Sequence, residues 1–255
     1  MKIDELLVDI EQVAKENNLS TPFIAGGIPR DRILGEIGTK SEINDLDITT
    51  GDDNSHKLAY ALSKKYTNSS YREYDDGHTS LDIQGLHIDF SSNFIAPGVE
   101  NELKRLGIKD ITSMKLEIFS RDFTINCLLE TLDFTAIYDL TGEGMNDIRA
   151  GLIKCPIDPN ITIGVDPRRI LRAIKFSIKY GFNIEEKLKI AMLEHRKKIK
   201  TLPVKFVQDK ISEIVSLDAD KGIELLIKFK LLPLVPLTKT VSDILIQKRQ
   251  LVRAL

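Results

Sequence analysis

Hydrophobic and polar residues follow two different periods in the first part of the chain. Over residues 2–18 the apolar positions recur at helical spacing, which predicts an amphipathic helix. Residues 45–49 alternate strictly between polar and apolar, which predicts a strand with one polar face. The same patterns predict a short buried strand over residues 23–25 and helices over residues 28–35 and 55–66. They also predict a hairpin over residues 81–90 that turns at Gln84-Gly85.

The regular pattern weakens after the hairpin. Residues 91–111 are polar and contain the breakers Pro97 and Gly107, so we expect a mobile excursion there. A helix is then predicted over residues 121–128 and a short strand near residues 136–138. This part of the chain therefore continues as a mixture of helix and strand.

Strand signals disappear from Asp166 onward. A helix with apolar residues at helical spacing ends at Gly181, and three or four further helices are predicted to reach Leu255. The pattern thus predicts an α+β domain over residues 1–150 and an all-helical domain over residues 151–255.

Charge is divided unevenly between the two parts. The whole chain has 36 basic and 38 acidic residues, a formal net charge of −2. Residues 1–164 contain 16 Lys and Arg against 28 Asp and Glu, whereas residues 165–255 contain 20 against 10. A basic second part is typical of proteins that bind a polyanion such as a nucleic acid.

The cysteines and the apolar segments indicate a compartment. Cys127 and Cys155 are the two cysteines and belong to no CxxC or Cys/His motif, which favours a reducing environment. The first residues are charged where a signal peptide needs an apolar run, and no stretch of about 18 apolar residues follows. We expect a cytoplasmic protein without a membrane segment.

Asp45 and Asp47 are the most specific candidates for chemistry. Side chains two apart on a strand leave the same face, so the two carboxylates converge. Neighbouring carboxylates repel unless a cation lies between them, and hard oxygen ligands suit Mg²⁺. Asp89, on another alternating segment, could supply a third oxygen if its strand lies alongside. Taken alone, a DxD pattern also fits a solvated strand face.

A glycine turn precedes the second predicted helix. Gly26 and Gly27 lie between a strand and a helix start, where backbone N–H groups can approach an anion closely. Arg30, one turn into the helix, could meet a phosphate oxygen. The alternative interpretation is a tight turn with Arg30 and Asp31 as surface charges.

Two further motifs combine charges at helical spacing. Arg121, Asp122 and Asn126 form the first. In the second, Pro167 suits a first helical turn capped by Asp166, and the charges then step by three along the helix. This predicts a charged fan opposite the apolar stripe, for which a solvated basic face is the alternative interpretation; its members are Asp166, Arg169, Arg172 and Lys175.

In this order, the motifs resemble those of the class II tRNA nucleotidyltransferase (CCA-adding enzyme) and bacterial poly(A) polymerase family, within the polymerase-β-like nucleotidyltransferase superfamily. The resemblance covers roughly residues 20–215. The motifs are Gly26-Gly27-x-x-Arg30-Asp31, Asp45-x-Asp47, Arg121-Asp122-Phe123-Thr124-Ile125-Asn126, Asp139 to Asp147, and Asp166-Pro167-x-Arg169-Ile170-Leu171-Arg172-Ala173.

The resemblance implies a nucleotidyltransferase head with a mixed sheet, followed by a helical neck and a short body. It implies catalytic roles for Asp45, Asp47 and Asp89, the first two as ligands of two Mg²⁺ ions. Nucleotide-binding roles are implied for Gly26, Gly27, Arg30, Arg121, Asp122, Asn126, Asp166, Arg169, Arg172 and Lys175. Among these, Asp166 and Arg169 are implied to read the Watson–Crick edge of the incoming base.

The implied reaction is template-independent transfer of CMP or AMP, from CTP or ATP, to the 3′-hydroxyl of a tRNA. Poly(A)-type RNA tailing and transfer to a non-RNA acceptor are the alternatives. RNA and nucleoside triphosphates are the implied partners, and an oligomer is possible. The sequence departs from the family pattern at Val165, where the family has Glu, and at Ser120, where it has the first Arg of Arg-Arg-Asp.

Overall fold

The structure is a computed structural model that describes residues 3–37, 43, 45–75, 77–238, 241–244 and 246. The chain divides into two compact units, residues 1–150 and 151–255. Each unit is described separately below.

The first unit contains a seven-stranded mixed sheet in the order β3-β4-β5-β2-β1-β6-β7. Strands β2 and β5 are parallel, and the other neighbours are antiparallel. The predicted α+β fold class is therefore confirmed. The strands are β1 (Phe23–Ala25), β2 (Asp45–Thr49), β3 (Ser70–Glu73), β4 (Thr79–Ile83), β5 (Leu86–Phe90), β6 (Leu128–Glu130) and β7 (Ile137–Asp139).

The described part of this unit also contains six α-helices. Two of them, α1 and α3, pack together, and their apolar residues share a core with residues of the central strands such as Leu46 and Ile88. Fully burying one such side chain contributes about 1.5–3 kcal/mol. The helices are α1 (Ile3–Glu16), α2 (Gly27–Ile33), α3 (Asn54–Lys65), α4 (Val99–Arg105), α5 (Ser113–Phe119) and α6 (Gly144–Ala150).

Alternation along β2 decides which face of the sheet is polar. Leu46 and Ile48 are buried in the core, so Asp45 and Asp47 point away from it and are exposed. The predicted bounds of this strand are confirmed, as are the hairpin of β4 and β5 and its turn at Gln84.

Two predicted elements of the first unit are wrong. Residues 91–111 are not simply an excursion, because they include α4, whose Val99 and Leu103 are buried. Residues 121–128 do not form an α-helix: a 3-10 turn covers Thr124–Asn126, and β6 begins directly afterwards. Residues 122–130 are all buried, so the apolar pattern there does not mark one helix face.

The second unit is built mainly from helices, with α8 packed against α10 and α11. One addition to the predicted all-helical domain is a pair of two-residue parallel strands, β8 (Leu152–Ile153) and β9 (Asn183–Ile184). No helix within the described residues is long and apolar enough to span a bilayer. The end of the predicted helical run, residues 247–255, lies outside the described residues. The helices are α7 (Pro159–Val165), α8 (Arg168–Tyr180), α9 (Glu186–His195), α10 (Val204–Leu217) and α11 (Ala219–Lys228).

Candidate functional site

Acidic side chains from β2 and β5 form a row on one face of the sheet. The parallel register places Asp47 beside Asp89 and Asp45 beside His87. One ligand atom each of Asp45, His87 and Asp89 lies within 4.8 Å of the others. The structure thus brings Asp45 and Asp89 together, and the strand register places Asp47 next to Asp89. Carboxylate oxygens in such a row are donors that fit a hard divalent cation such as Mg²⁺.

His87 also lies in this row, although it is not among the residues predicted for the site. Its Nδ1 lies 2.6 Å from Asp82 Oδ1, and its Nε2 lies 3.1 Å from Asp89 Oδ1. The hydrogen bond with Asp82 is the main cause that raises the pKa of His87, with desolvation opposing it and the charge of Asp89 adding to it. The imidazole therefore links two carboxylates and orients Asp89.

The glycine turn lies directly against the acidic row. Gly26 precedes α2 with a φ of +76°, a conformation that glycine adopts without strain. A Cβ atom at Gly26 would lie 3.1 Å from Asp47 Oδ2 and 3.4 Å from Arg121 Nη1. The carboxylate of Asp47 and the guanidinium of Arg121 therefore both lie at this turn, and Gly26 leaves room for both side chains.

Arg30 belongs to a buried polar network beside this turn. Its Nη1 donates to Asn126 Oδ1, and its Nε donates to Asp31 Oδ1 at 2.7 Å. Asn126 Nδ2 in turn donates to Asp122 Oδ1 at 2.9 Å. Asp122 also accepts from the backbone N–H of Phe123 at 2.8 Å. Asp122 and Asn126, which the predicted helix would place one turn apart, thus meet across a 3-10 turn.

Arg121 is held by a carboxylate that the sequence motifs did not single out. Its Nη2 donates to Glu117 Oε1 at 2.8 Å, one helical turn earlier. Burial alone would lower the pKa of Arg121, but the charge and hydrogen bond of Glu117 raise it, so the guanidinium stays protonated. The spacing of four residues is the signal that could have revealed this pair.

Two other side chains donate to Glu117. Thr49 Oγ1 donates to Glu117 Oε2 at 2.6 Å, and Ser91 Oγ donates to Glu117 Oε1 at 2.8 Å. Glu117 is only 3% exposed. Both carboxylate oxygens of Glu117 thus accept hydrogen bonds from other side chains of the protein.

In the second unit, the charges that step along α8 differ in environment. Asp166 Oδ1 accepts from the backbone N–H of Arg168 at 2.9 Å, but Pro167 occupies the N-cap position, so the predicted cap by Asp166 is wrong. Arg169 is buried, with Nε 3.9 Å from Asp166 Oδ2. Arg172 is exposed, whereas Lys175 pairs with Glu213. The alternative interpretation, a solvated basic face, therefore does not hold for all of these residues, because packing buries Arg169 and Lys175 forms an ion pair.

Comparison with known proteins identifies the family. A model described as the poly A polymerase head domain matches residues 22–154, just over half of the chain. The chain belongs to this family, which confirms the resemblance described above.

Several curated relatives are tRNA nucleotidyltransferases. The chain is 29% identical over 201 residues to the tRNA nucleotidyltransferase cca1 of Schizosaccharomyces pombe, covering 72% of this chain and 39% of the relative. It is 28% identical over 197 residues to the CCA-adding enzyme of Limosilactobacillus fermentum, covering 76% and 45%. The chain thus spans less than half the length of these two relatives.

Solved structures share the fold. The Thermotoga maritima CCA-adding enzyme complexed with tRNA has a TM-score of 0.68 at 24% identity, over 89% of this chain and 50% of that one. A complex of a CCA-adding enzyme with CTP has a TM-score of 0.68 at 25% identity, over 89% and 51%.

Proposed function

We propose that this protein is a template-independent RNA nucleotidyltransferase that adds CMP and AMP, from CTP and ATP, to the 3′-hydroxyl of a tRNA. The observation that carries the proposal is that Asp47 and Arg121 both lie at the Gly26 turn, beside a row of carboxylates. This places groups that suit a divalent cation next to groups that suit a triphosphate. The tRNA nucleotidyltransferase relatives support tRNA as the acceptor.

The carboxylates are the proposed catalytic groups. Asp45 and Asp47 would hold Mg²⁺ ions, with Asp89 as the third acid, because their oxygens lie on one face of adjacent strands. When bound, Mg²⁺ would lower the pKa of the attacking 3′-hydroxyl and would neutralise charge on the departing pyrophosphate. Phosphoryl transfer depends mainly on positioning and electrostatics, so no protein nucleophile is needed.

A second group of residues would bind the nucleotide. The backbone N–H groups of Gly26 and Gly27 and the guanidinium of Arg30 suit phosphate oxygens. Arg121, Asp122 and Asn126 are the proposed partners of the sugar and the phosphates. The hydrogen bonds that join Arg30, Asn126 and Asp122 would keep these groups in place before the nucleotide arrives.

The neck, residues 151–255, is the proposed base-reading domain, and the head is residues 1–150. A carboxylate accepts from an exocyclic amine and a guanidinium donates to ring acceptors, so Asp166 and Arg169 together can read a base edge. Arg172 and Lys175 would support them. The cytoplasm is the proposed compartment, because Cys127 and Cys155 are both buried thiols.

The test is incorporation of labelled nucleotide. We expect wild-type protein with Mg²⁺ to extend a tRNA that lacks its terminal residues, using CTP and ATP. Asp47→Ala should lower the rate by at least about 100-fold, because it removes a charge at the reacting centre. Asp209→Ala is the matched control, because Asp209 forms an exposed ion pair with Lys205. This variant should incorporate nucleotide at the wild-type rate.

Other outcomes separate the alternatives. Long runs of AMP on any RNA, without use of CTP, would favour poly(A)-type tailing. Transfer only to a non-RNA acceptor would overturn the proposed substrate class. Full activity of Asp47→Ala would overturn the assignment of the carboxylates.

A further inference from the structure

A buried carboxylate outside the predicted motifs contacts three segments of the site. Glu117, on α5, is 3% exposed and accepts hydrogen bonds from Thr49, Ser91 and Arg121 at 2.6–2.8 Å. Burying a charged group costs free energy unless the group is paired with an opposite charge and hydrogen-bonded. Glu117 is paired with Arg121, and both of its oxygens accept hydrogen bonds.

The donors on the strands occupy equivalent positions. Thr49 lies two residues after Asp47, and Ser91 lies two residues after Asp89. Side chains two apart on a strand share a face, so both hydroxyls continue the row of carboxylates. The backbone N–H of Ser91 donates to the carbonyl of Ile48 at 2.8 Å, which extends the pairing of β2 and β5 to this point.

We propose that Glu117 is a positioning residue, which fixes Arg121 against the ends of β2 and β5 and so sets the distance between the guanidinium and the carboxylates. This proposal rests on the proposed function, in which Arg121 binds the nucleotide. Glu117 acts through Arg121, and its own oxygens are occupied by Thr49, Ser91 and Arg121.

Glu117→Gln is the informative substitution because it changes charge with little change in shape. The amide oxygen can still accept from Arg121, and the amide N–H₂ can face Thr49, whose hydroxyl can accept. The variant should therefore fold, but a neutral acceptor holds the guanidinium less firmly than a carboxylate. We expect kcat/KM for ATP to fall about 10- to 100-fold.

The expected change has a kinetic signature. The KM for ATP should rise while the KM for the RNA primer stays within about twofold. A merely structural role would lower the melting temperature and the active fraction, and would leave both KM values unchanged. Glu102→Gln is the matched control, since Glu102 is also a buried carboxylate paired with an arginine, Arg105. It should keep wild-type kinetics.

A double-mutant cycle tests whether Glu117 acts through Arg121. In an Arg121→Ala background, Glu117→Gln should lower kcat/KM by no more than about twofold, because the residue that Glu117 positions is gone. If the two effects multiply instead, the positioning role is overturned while the proposed function stands. Should Glu117→Gln melt below the assay temperature, Glu117→Asp takes its place, with the same expected loss of effect in the Arg121→Ala background.

Binding of Mg²⁺-ATP by calorimetry separates the two proposals. If the wild type extends no RNA, the proposed function fails, and the cycle is measured on ATP affinity instead. Weaker binding in Glu117→Gln that disappears in the Arg121→Ala background supports the positioning role. Absence of ATP binding by the wild type overturns both proposals.

Discussion

At the residue scale, Gly26 shows how closely the site is packed. Its backbone has a φ of +76°, and a side chain there would meet Asp47 and Arg121. Gly35 provides a comparison at the other end of α2, because its φ is +74° and a Cβ there would meet no atom of the described residues within 4 Å. The two glycines share a positive φ and differ in their described neighbours.

This pair gives a prediction that separates backbone strain from site geometry. Gly35→Ala should lose about 1–2 kcal/mol of unfolding free energy, because alanine is disfavoured at positive φ. Gly26→Ala should lose at least as much, because its ψ of −113° lies outside the left-handed helical region. Only Gly26→Ala should also lose activity, by about 10-fold or more, since its Cβ displaces groups at the reacting centre. Denaturant unfolding and nucleotide incorporation measure the two effects. Equal activity of the two variants would contradict the contact with Asp47.

Prediction from sequence at this scale works where a residue type has one dominant use. Two aspartates at spacing two, and glycines between a strand and a helix, identify candidates without a structure. Glu117 could not be predicted as a site residue, because its partners Thr49 and Ser91 are distant in sequence and hydroxyl side chains in strands have many uses. His87 could be placed near the acids, but its bonds to Asp82 and Asp89 depend on the register of three strands.

At the element scale, the accuracy of prediction follows burial. Strand β2 has one buried and one exposed face, so its period is visible and its bounds are predicted correctly. Residues 122–130 are buried throughout, and there periodicity cannot distinguish helix from strand. Helix α4 is not predicted within residues 91–111, because a helix of seven residues is too short to show a clear helical pattern.

Helix α8, which contains the proposed base-reading residue Arg169, is predicted correctly in one respect and not in another. Its apolar stripe is predicted correctly, but the environment of each charge depends on neighbouring helices. Arg169 is buried, and its Nη1 donates to the carbonyl of Thr162 at 3.4 Å. A buried, oriented guanidinium suits selection of a base better than it suits general attraction of RNA.

We therefore predict that Arg169→Ala changes nucleotide choice more than RNA binding. The ratio of kcat/KM for ATP to that for CTP should change by about 10-fold, the effect of losing one charge-assisted hydrogen bond. The KM for primer should change by less than threefold. Lys179→Ala, an exposed cation on the same helix, is the control and should preserve the ratio. A large change in primer KM with an unchanged ratio would remove Arg169 from base reading.

At the scale of the whole molecule, the two compact units differ in charge. Residues 1–150 contain 15 Lys and Arg against 27 Asp and Glu, and residues 151–255 contain 21 against 11. The acidic surplus of the first unit includes the carboxylates proposed to hold Mg²⁺. The basic surplus of the second unit is the part suited to a phosphate backbone. The overall charge of −2 conceals this division.

This division predicts how activity depends on salt. Raising KCl from about 50 to about 200 mM should increase the KM for tRNA on the order of 10- to 100-fold, because each phosphate contact releases a counterion. The KM for Mg²⁺-ATP should change much less, since one small ligand makes few such contacts in a partly buried site. Steady-state incorporation assays at several salt concentrations measure both constants. A primer KM that is insensitive to salt would contradict RNA as the acceptor, and would instead favour an acceptor without a phosphate backbone.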